Sequence, residues 1–158
     1  MTDLYETATF AAGCFWQIEV EFRNTDGVKD AVVGYMGGSS ERPSYEEVCT
    51  GATGHAEVCQ VSFDPDQVSY RQLLEIFWGL HDPTQVNRQG PDVGTQYRSA
   101  IFFHTPEQEA EATASRERAQ ADFDKPIATE IVPAGSFWPA EDYHQRYLEK
   151  RGLATCKI

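Results

Sequence analysis

The stretch TATFAAGCFWQIEVEFRNTDGVKDAVVGY, residues 7–35, decides how the chain folds. Its first six residues are apolar and small enough for a short strand, which Gly13 ends. Phe15, Ile18, Val20 and Phe22 then follow with helical spacing, so a helix runs from Phe15 to about Arg23. Residues 28–35 are rich in β-branched side chains and read as a second strand, broken by Gly37-Gly38. A strand, a helix and a strand within thirty residues call for a sheet with a helix laid across it.

The same grammar continues outward. A polar loop runs to Gly54, and residues 57–63 read as a strand with Cys59, Val61 and Phe63 on one face. Ser69 with Gln72 forms a capping-box pattern for a helix through about Leu80. Residues 81–98 are loop-rich, and residues 100–104 form a strand. Thr105-Pro106 with Gln108 opens a helix to about Phe123, with proline at the first helical position. Residues 127–132 are the last strand. Pro139 then starts a helix with Tyr143 and Tyr147 one turn apart, closed by Lys150-Arg151 and Gly152. Interleaved strands and helices predict one α+β or α/β domain over 1–158, with a mixed sheet covered by helices. The core is expected over about 6–150, with 151–158 a mobile tail carrying Cys156. The long loops at 36–56 and 81–98 are expected to be functional.

With 158 residues the chain is long enough to bury a core without disulfide staples. Hydrophobic residues make up 41% and charged residues 24%, a globular balance. A net charge of −12 repels phosphate backbones and anionic headgroups, which argues against nucleic-acid and membrane-surface partners. No membrane-length apolar run occurs and the first residues are acidic rather than signal-like, so a cytoplasmic location is expected. In a reducing compartment the four cysteines, Cys14, Cys49, Cys59 and Cys156, should rest as thiols.

Cys14 lies between a strand-ending glycine and the first turn of a helix. The partial positive charge of helix-start amides lowers a thiol pKa, so this placement favours a thiolate nucleophile flanked by the apolar walls Phe15 and Trp16. The alternative is a small core residue among core aromatics. Glu57 shares strand parity with Cys59, Val61 and Phe63, so its carboxyl should be partly desolvated and its pKa raised toward that of a proton donor; a solvated strand end is the alternative. Tyr45 and Tyr97 place phenols in the two long loops, and Asp92 sits between Pro91 and Gly94. His55 and Glu57 form His-x-Glu without the Pro-Cys-x-x-Cys partner of zinc deaminases, and no Cys-x-x-Cys occurs, so no metal site is expected. Cys156 stands five residues beyond Arg151, a reach of about 17 Å. A nucleophilic cysteine near one end and a mobile one near the other suggest attack followed by resolution as a disulfide. Two other classes remain open: a cysteine hydrolase or amidotransferase using Cys14 and His55, and a thiol redox sensor or binding module.

Seven blocks then occur in order: Gly13-Cys14-Phe15-Trp16, Tyr45-Glu46-Glu47-Val48-Cys49-Thr50-Gly51, Gly54-His55-Ala56-Glu57, His81-Asp82-Pro83-Thr84-Gln85, Asn87-Arg88-Gln89-Gly90, Gly94-Thr95-Gln96-Tyr97-Arg98-Ser99, and Pro139-Ala140-Glu141-Asp142-Tyr143-His144-Gln145. Together they resemble the peptide methionine sulfoxide reductase A family, over about residues 10–150. The resemblance implies a two-layer α+β sandwich with a ferredoxin-like core. It implies that Cys14 attacks the sulfoxide sulfur, that Phe15 and Trp16 line the methyl pocket, and that Asp92 holds substrate near its backbone. Glu57, Tyr45 and Tyr97 would hold and protonate the sulfoxide oxygen. It further implies reduction of the S-epimer, free or peptide-bound, without a cofactor. A Cys14–Cys156 disulfide would be recycled by thioredoxin, in a monomer. Cys59 would be inert, and Cys49 is left open as a second resolving thiol. Two positions depart from the family pattern: Gln17, commonly glycine, and Val93, often histidine.

Overall fold

Four strands of a six-stranded sheet carry the architecture, and the computed structural model describes them within residues 5–145. In chain order the elements are β1 (Glu6–Ala12), α1 (Phe15–Arg23), β2 (Val28–Met36), α2 (Tyr45–Cys49), β3 (Ala56–Phe63), α3 (Tyr70–Gly79), β4 (Arg88–Gln89) and β5 (Asp92–Val93). A 3₁₀ turn (Thr95–Tyr97), β6 (Ser99–Phe103), α4 (Pro106–Gln120), β7 (Glu130–Pro133), β8 (Trp138–Pro139) and a 3₁₀ turn (Asp142–His144) complete them.

The sheet order is β7-β6-β1-β3-β2-β8. Its middle, β6-β1-β3-β2, is a βαββαβ unit with α1 and α3 as the crossovers, which is the ferredoxin-like arrangement. All pairs are antiparallel except β6 with β7, so the sheet is mixed, as expected. β1 alternates strictly: Ala8, Phe10 and Ala12 join the core under the helices, while Ala11 joins Met36, Ala56, Val58 and Phe102 on the opposite face. Phe10 stacks on Phe22 of α1 at 5.1 Å and meets Phe77 of α3 at 5.4 Å. Burying each such ring contributes about 1.5–3 kcal/mol, so these contacts weld both crossovers to the central strand. Among the described residues no helix is long and apolar enough to cross a membrane.

Several boundaries differ from the sequence expectation for identifiable reasons. α4 stops at Gln120 rather than near Phe123 because the Gln120 side chain turns back onto the Phe123 and Lys125 carbonyls. β7 begins at Glu130 rather than at residue 127, since the Ile127 amide bonds Gln120 Oε1 (2.9 Å) and the Ala128 amide bonds the Pro83 carbonyl (2.7 Å). The first long loop contains a helix, α2, and the second contains the β4–β5 hairpin.

The helix expected from Pro139 is a correction. Trp138 and Pro139 pair with Tyr35 and Gly34 as an edge strand, where a proline costs no ladder bond. A 3₁₀ turn follows, and Gln145 uses its side chain as a surrogate strand, accepting from the Val33 amide (3.0 Å) and donating to the Val33 carbonyl (2.9 Å). Tyr147, Lys150-Arg151, Gly152 and Cys156 lie outside the described residues.

Candidate active site

β1 delivers Cys14. Gly13 makes the turn at φ +91°, and a Cβ there would press on the Gln89 side chain of the β4–β5 hairpin at 2.9 Å. Cys14 is the N-cap of α1 with extended backbone and no side-chain capping bond. The amides of Trp16 and Gln17 do favour its thiolate, as the helix start suggested, but burial outweighs them and the Glu57 charge adds to it. The thiol pKa is pushed up to about 12. The expectation of a resting thiolate is therefore corrected: Cys14 rests as a neutral thiol.

Glu57, second in β3, is only 1% exposed. Its Oε1 accepts from the Phe15 amide at 3.3 Å, and among the described residues its Oε2 has no hydrogen-bond partner. Burial pushes the carboxyl up to about 8, with the Asp92 charge adding and the Phe15 amide opposing. The desolvated-acid reading of the strand parity holds, because β3 starts at Ala56 and Glu57 falls on the face that α1 covers.

The two phenols arrive from the two long loops. Tyr45 is the first residue of α2, whose capping box joins Ser44 to Glu47. Tyr97 ends the 3₁₀ turn before β6. Both phenols are pushed up, first by burial and next by the Glu57 charge, Tyr97 to about 12. Tyr97 also feels Cys49, Asp92 and Cys14, and Asp92 acts on Cys14 and Glu57. Cys14, Glu57, Tyr45, Tyr97 and Asp92 thus share one electrostatic neighbourhood. Cys49 is exposed, and its sulfur accepts a hydrogen bond from the Tyr45 phenol. Gln17 and Val93, the two departures from the family pattern, are both exposed.

An aromatic cluster packs beside Cys14. Phe15 is buried at its centre, with Tyr35 at 5.8 Å, Tyr45 at 6.3 Å and His144 at 5.3 Å, while Trp16 is half-buried and reaches the surface. Trp16 Nε1 donates to His144 Nδ1 at 3.0 Å, and burial lowers the His144 pKa, so this ring is a neutral acceptor. The sequence reading assigned no role to His144, Tyr35 or Glu141. The signal for His144 and Glu141 was the block at 139–145, which the edge strand β8 carries alongside Tyr35 of β2.

His55 cannot serve Cys14 as a base. It is buried, its Nδ1 accepts from the Gly38 amide (3.0 Å) and its Nε2 donates to the Ser40 carbonyl (2.7 Å), so both ring nitrogens are spent on the loop. The hydrolase reading loses its dyad. Cys59 is fully buried in the helix-covered core. Among the described residues no three His, Cys, Asp or Glu side chains are grouped to hold a metal ion.

Residues 6–158 match the family model described as peptide methionine sulfoxide reductase. The peptide methionine sulfoxide reductase MsrA of Acidobacterium capsulatum is 60% identical over 153 residues, covering 96% of this chain and 98% of the relative. Reduced Mxr1 of Saccharomyces cerevisiae superposes with a TM-score of 0.90 at 41% identity, covering 94% of this chain and 86% of that one. Mxr1 in complex with Trx2 gives 0.65 at 29% identity, covering 90% and 84%. The family model covers residues 6–158 and the relatives match almost from end to end, so the chain that holds this helix-start cysteine, buried carboxyl and pair of phenols belongs to the peptide methionine sulfoxide reductase family.

Proposed function

We propose that Cys14 is the nucleophile and Glu57 the acid of a reductase that converts the S-epimer of methionine sulfoxide, free or peptide-bound, to methionine. Thiol-dependent reduction of methionine sulfoxide, with thioredoxin as recycling reductant, is the activity of this family member. The observation that carries the residue assignment is the Glu57 carboxyl: 1% exposed, one oxygen on the Phe15 amide and the other without a partner among the described residues.

A sulfoxide oxygen cannot leave sulfur as a dianion, so it must be protonated as the thiol attacks. With its pKa near 8, Glu57 still holds its proton at pH 7. It gives that proton to the sulfoxide oxygen while its other oxygen takes up the proton that Cys14 loses, so the dry cleft keeps the same charge throughout. The phenols of Tyr45 and Tyr97 donate hydrogen bonds to the same oxygen, and Trp16 with Phe15 takes the substrate methyl group. Asp92 binds near the substrate backbone. In the net step the S–O bond breaks, Cys14 is oxidised by two electrons to a sulfenic acid, and the substrate sulfur is reduced by two to the thioether. Cys156 then attacks Cys14, water leaves, and the disulfide is reduced by the thioredoxin dithiol. The protein acts as a monomer in the cytoplasm, where thiols rest reduced.

The test is to supply each sulfoxide epimer separately to reduced protein with dithiothreitol. Consumption of the S-epimer alone is expected; consumption of neither by folded protein would overturn the reading. Without reductant, excess substrate should remove two thiols and leave Cys14 joined to Cys156. Joining to Cys49 instead would transfer the resolving role to that thiol.

A further inference from the structure

Glu141 bridges strand β2 and helix α2, and the proposed chemistry gives it no role. Its Oε1 accepts from the Tyr35 hydroxyl at 2.9 Å, and its Oε2 accepts from the backbone amide of Tyr45 at 2.9 Å. Tyr35 is the β2 residue paired across the ladder with Glu57, and its ring packs on Phe15. Tyr45 is the first residue of α2. One carboxylate therefore joins the strand beside the acid to the start of the helix that carries a phenol.

The helix needs such a clamp. α2 is five residues long, well below the roughly 12–15 at which an isolated helix begins to hold in water. Its own capping box restrains the first turn, and Gln96 Nε2 reaches the Cys49 carbonyl at 3.3 Å at its other end. Glu141 bonds the very amide of the residue whose side chain is used. Burial pushes its carboxyl up, but hydrogen bonds from the Tyr45 amide, its own amide and the Tyr35 hydroxyl together outweigh it and hold the group below the usual carboxylate range, so it accepts from both tyrosines as an anion.

We propose that Glu141 is a positioning residue for the reaction: by tying the start of α2 to Tyr35, it holds the Tyr45 phenol where it can donate to the sulfoxide oxygen. This rests on the assignment of Tyr45 as a donor. Proton transfer in a closed site is sensitive to displacements near 1 Å, which can change a rate by about a hundredfold. Glutamine at 141 keeps the size of the side chain but turns an N–H toward one of the two donors.

The experiment is single-turnover reduction of methionine sulfoxide by the reduced full-length chain, comparing wild type, Tyr45→Phe, Glu141→Gln and the double variant. Glu141→Gln is expected to lower the rate constant at saturating substrate by about tenfold to a hundredfold, with the half-saturating concentration within about twofold. Because it acts through the phenol, adding it to Tyr45→Phe should lower the rate no more than about twofold further. A slow Tyr45→Phe beside a full-rate Glu141→Gln, or fully multiplicative losses in the double variant, would overturn the proposal while leaving the Tyr45 assignment intact. A full-rate Tyr45→Phe would remove that assignment and this one together. Should Glu141→Gln not fold, Tyr35→Phe keeps the ring and deletes one donor; a severalfold loss is expected, and an unchanged rate would overturn the clamp.

Discussion

Helix α1 and strand β3 build two thiol–carboxylate couples side by side, and only one of them is suited to react. The helix supplies Cys14 to the first and Glu19 to the second; the strand supplies Glu57 to the first and Cys59 to the second. Both carboxylates are withdrawn from water, Glu57 at 1% exposure and Glu19 at 0%. Glu19 is answered by Arg23 one turn later, at 3.3 Å, and Arg23 is anchored in turn by Asp30 and the Ala31 carbonyl. Among the described residues Glu57 has no cation, only the Phe15 amide, so it keeps its proton near neutrality. Burial raises both thiols, but Cys59 is sealed in the core while Cys14 is partly exposed. A buried acid becomes a proton donor when its counter-charge is withheld, and a cysteine becomes a nucleophile when substrate can reach it.

The largest expected contrast is between the thiols. Cys14→Ser should lower sulfoxide reduction by more than about 10³-fold, whereas Cys59→Ala should stay within about twofold at a cost of about 1 kcal/mol in stability, read by denaturant titration. Equal losses of activity would erase the distinction between the couples.

Next comes the unpaired acid. Glu57→Gln should reduce the single-turnover rate by about 10²–10³-fold with substrate binding retained. The wild-type rate should fall roughly tenfold per pH unit above about 8 as the carboxyl ionises. Stability should fall with rising pH as well. The folded pKa near 8 lies above the unfolded value of about 4.3, so protonated Glu57 favours the native state only in acid, and this contribution is lost as pH rises through about 8. At pH 9, Glu57→Gln should gain on the order of a few kcal/mol relative to wild type, with little of that gain left at pH 4. A stability difference independent of pH would show that the carboxyl is not buried with its proton.

The smallest effect on catalysis is expected from the paired acid. Arg23→Met strands Glu19 in the core and should destabilise the fold by about 3–5 kcal/mol. The rate per folded molecule should stay within about twofold. A drop in that rate matching the one from Glu57→Gln would mean that the two couples communicate.

Much of this arrangement can be read along the chain. The capping box at Ser69 and Gln72 forms as expected, with the Ser69 amide on Gln72 Oε1 at 2.8 Å. The alternation that put Cys59, Val61 and Phe63 on one face also placed Glu57 among them. The identical signature at Ser44 and Glu47 went unread, since α2 is too short and too polar to show an apolar period. Pro139 carried the signal of a helix start, yet its segment was captured by the open edge of β2. His144 and Glu141 matter through neighbours about a hundred residues away in sequence, which no local pattern reveals.

By itself the sequence determined the strand and helix periods and the glycine turn before Cys14, because these depend on residues a few positions apart. Only the tertiary structure decided where the protons reside. The helix start argued for an ionised Cys14, but its pKa answers to water removed by α1 and the sheet and to a carboxyl 43 residues downstream. Charge is governed by the solvent left around a group, and that is settled only when distant segments close over it.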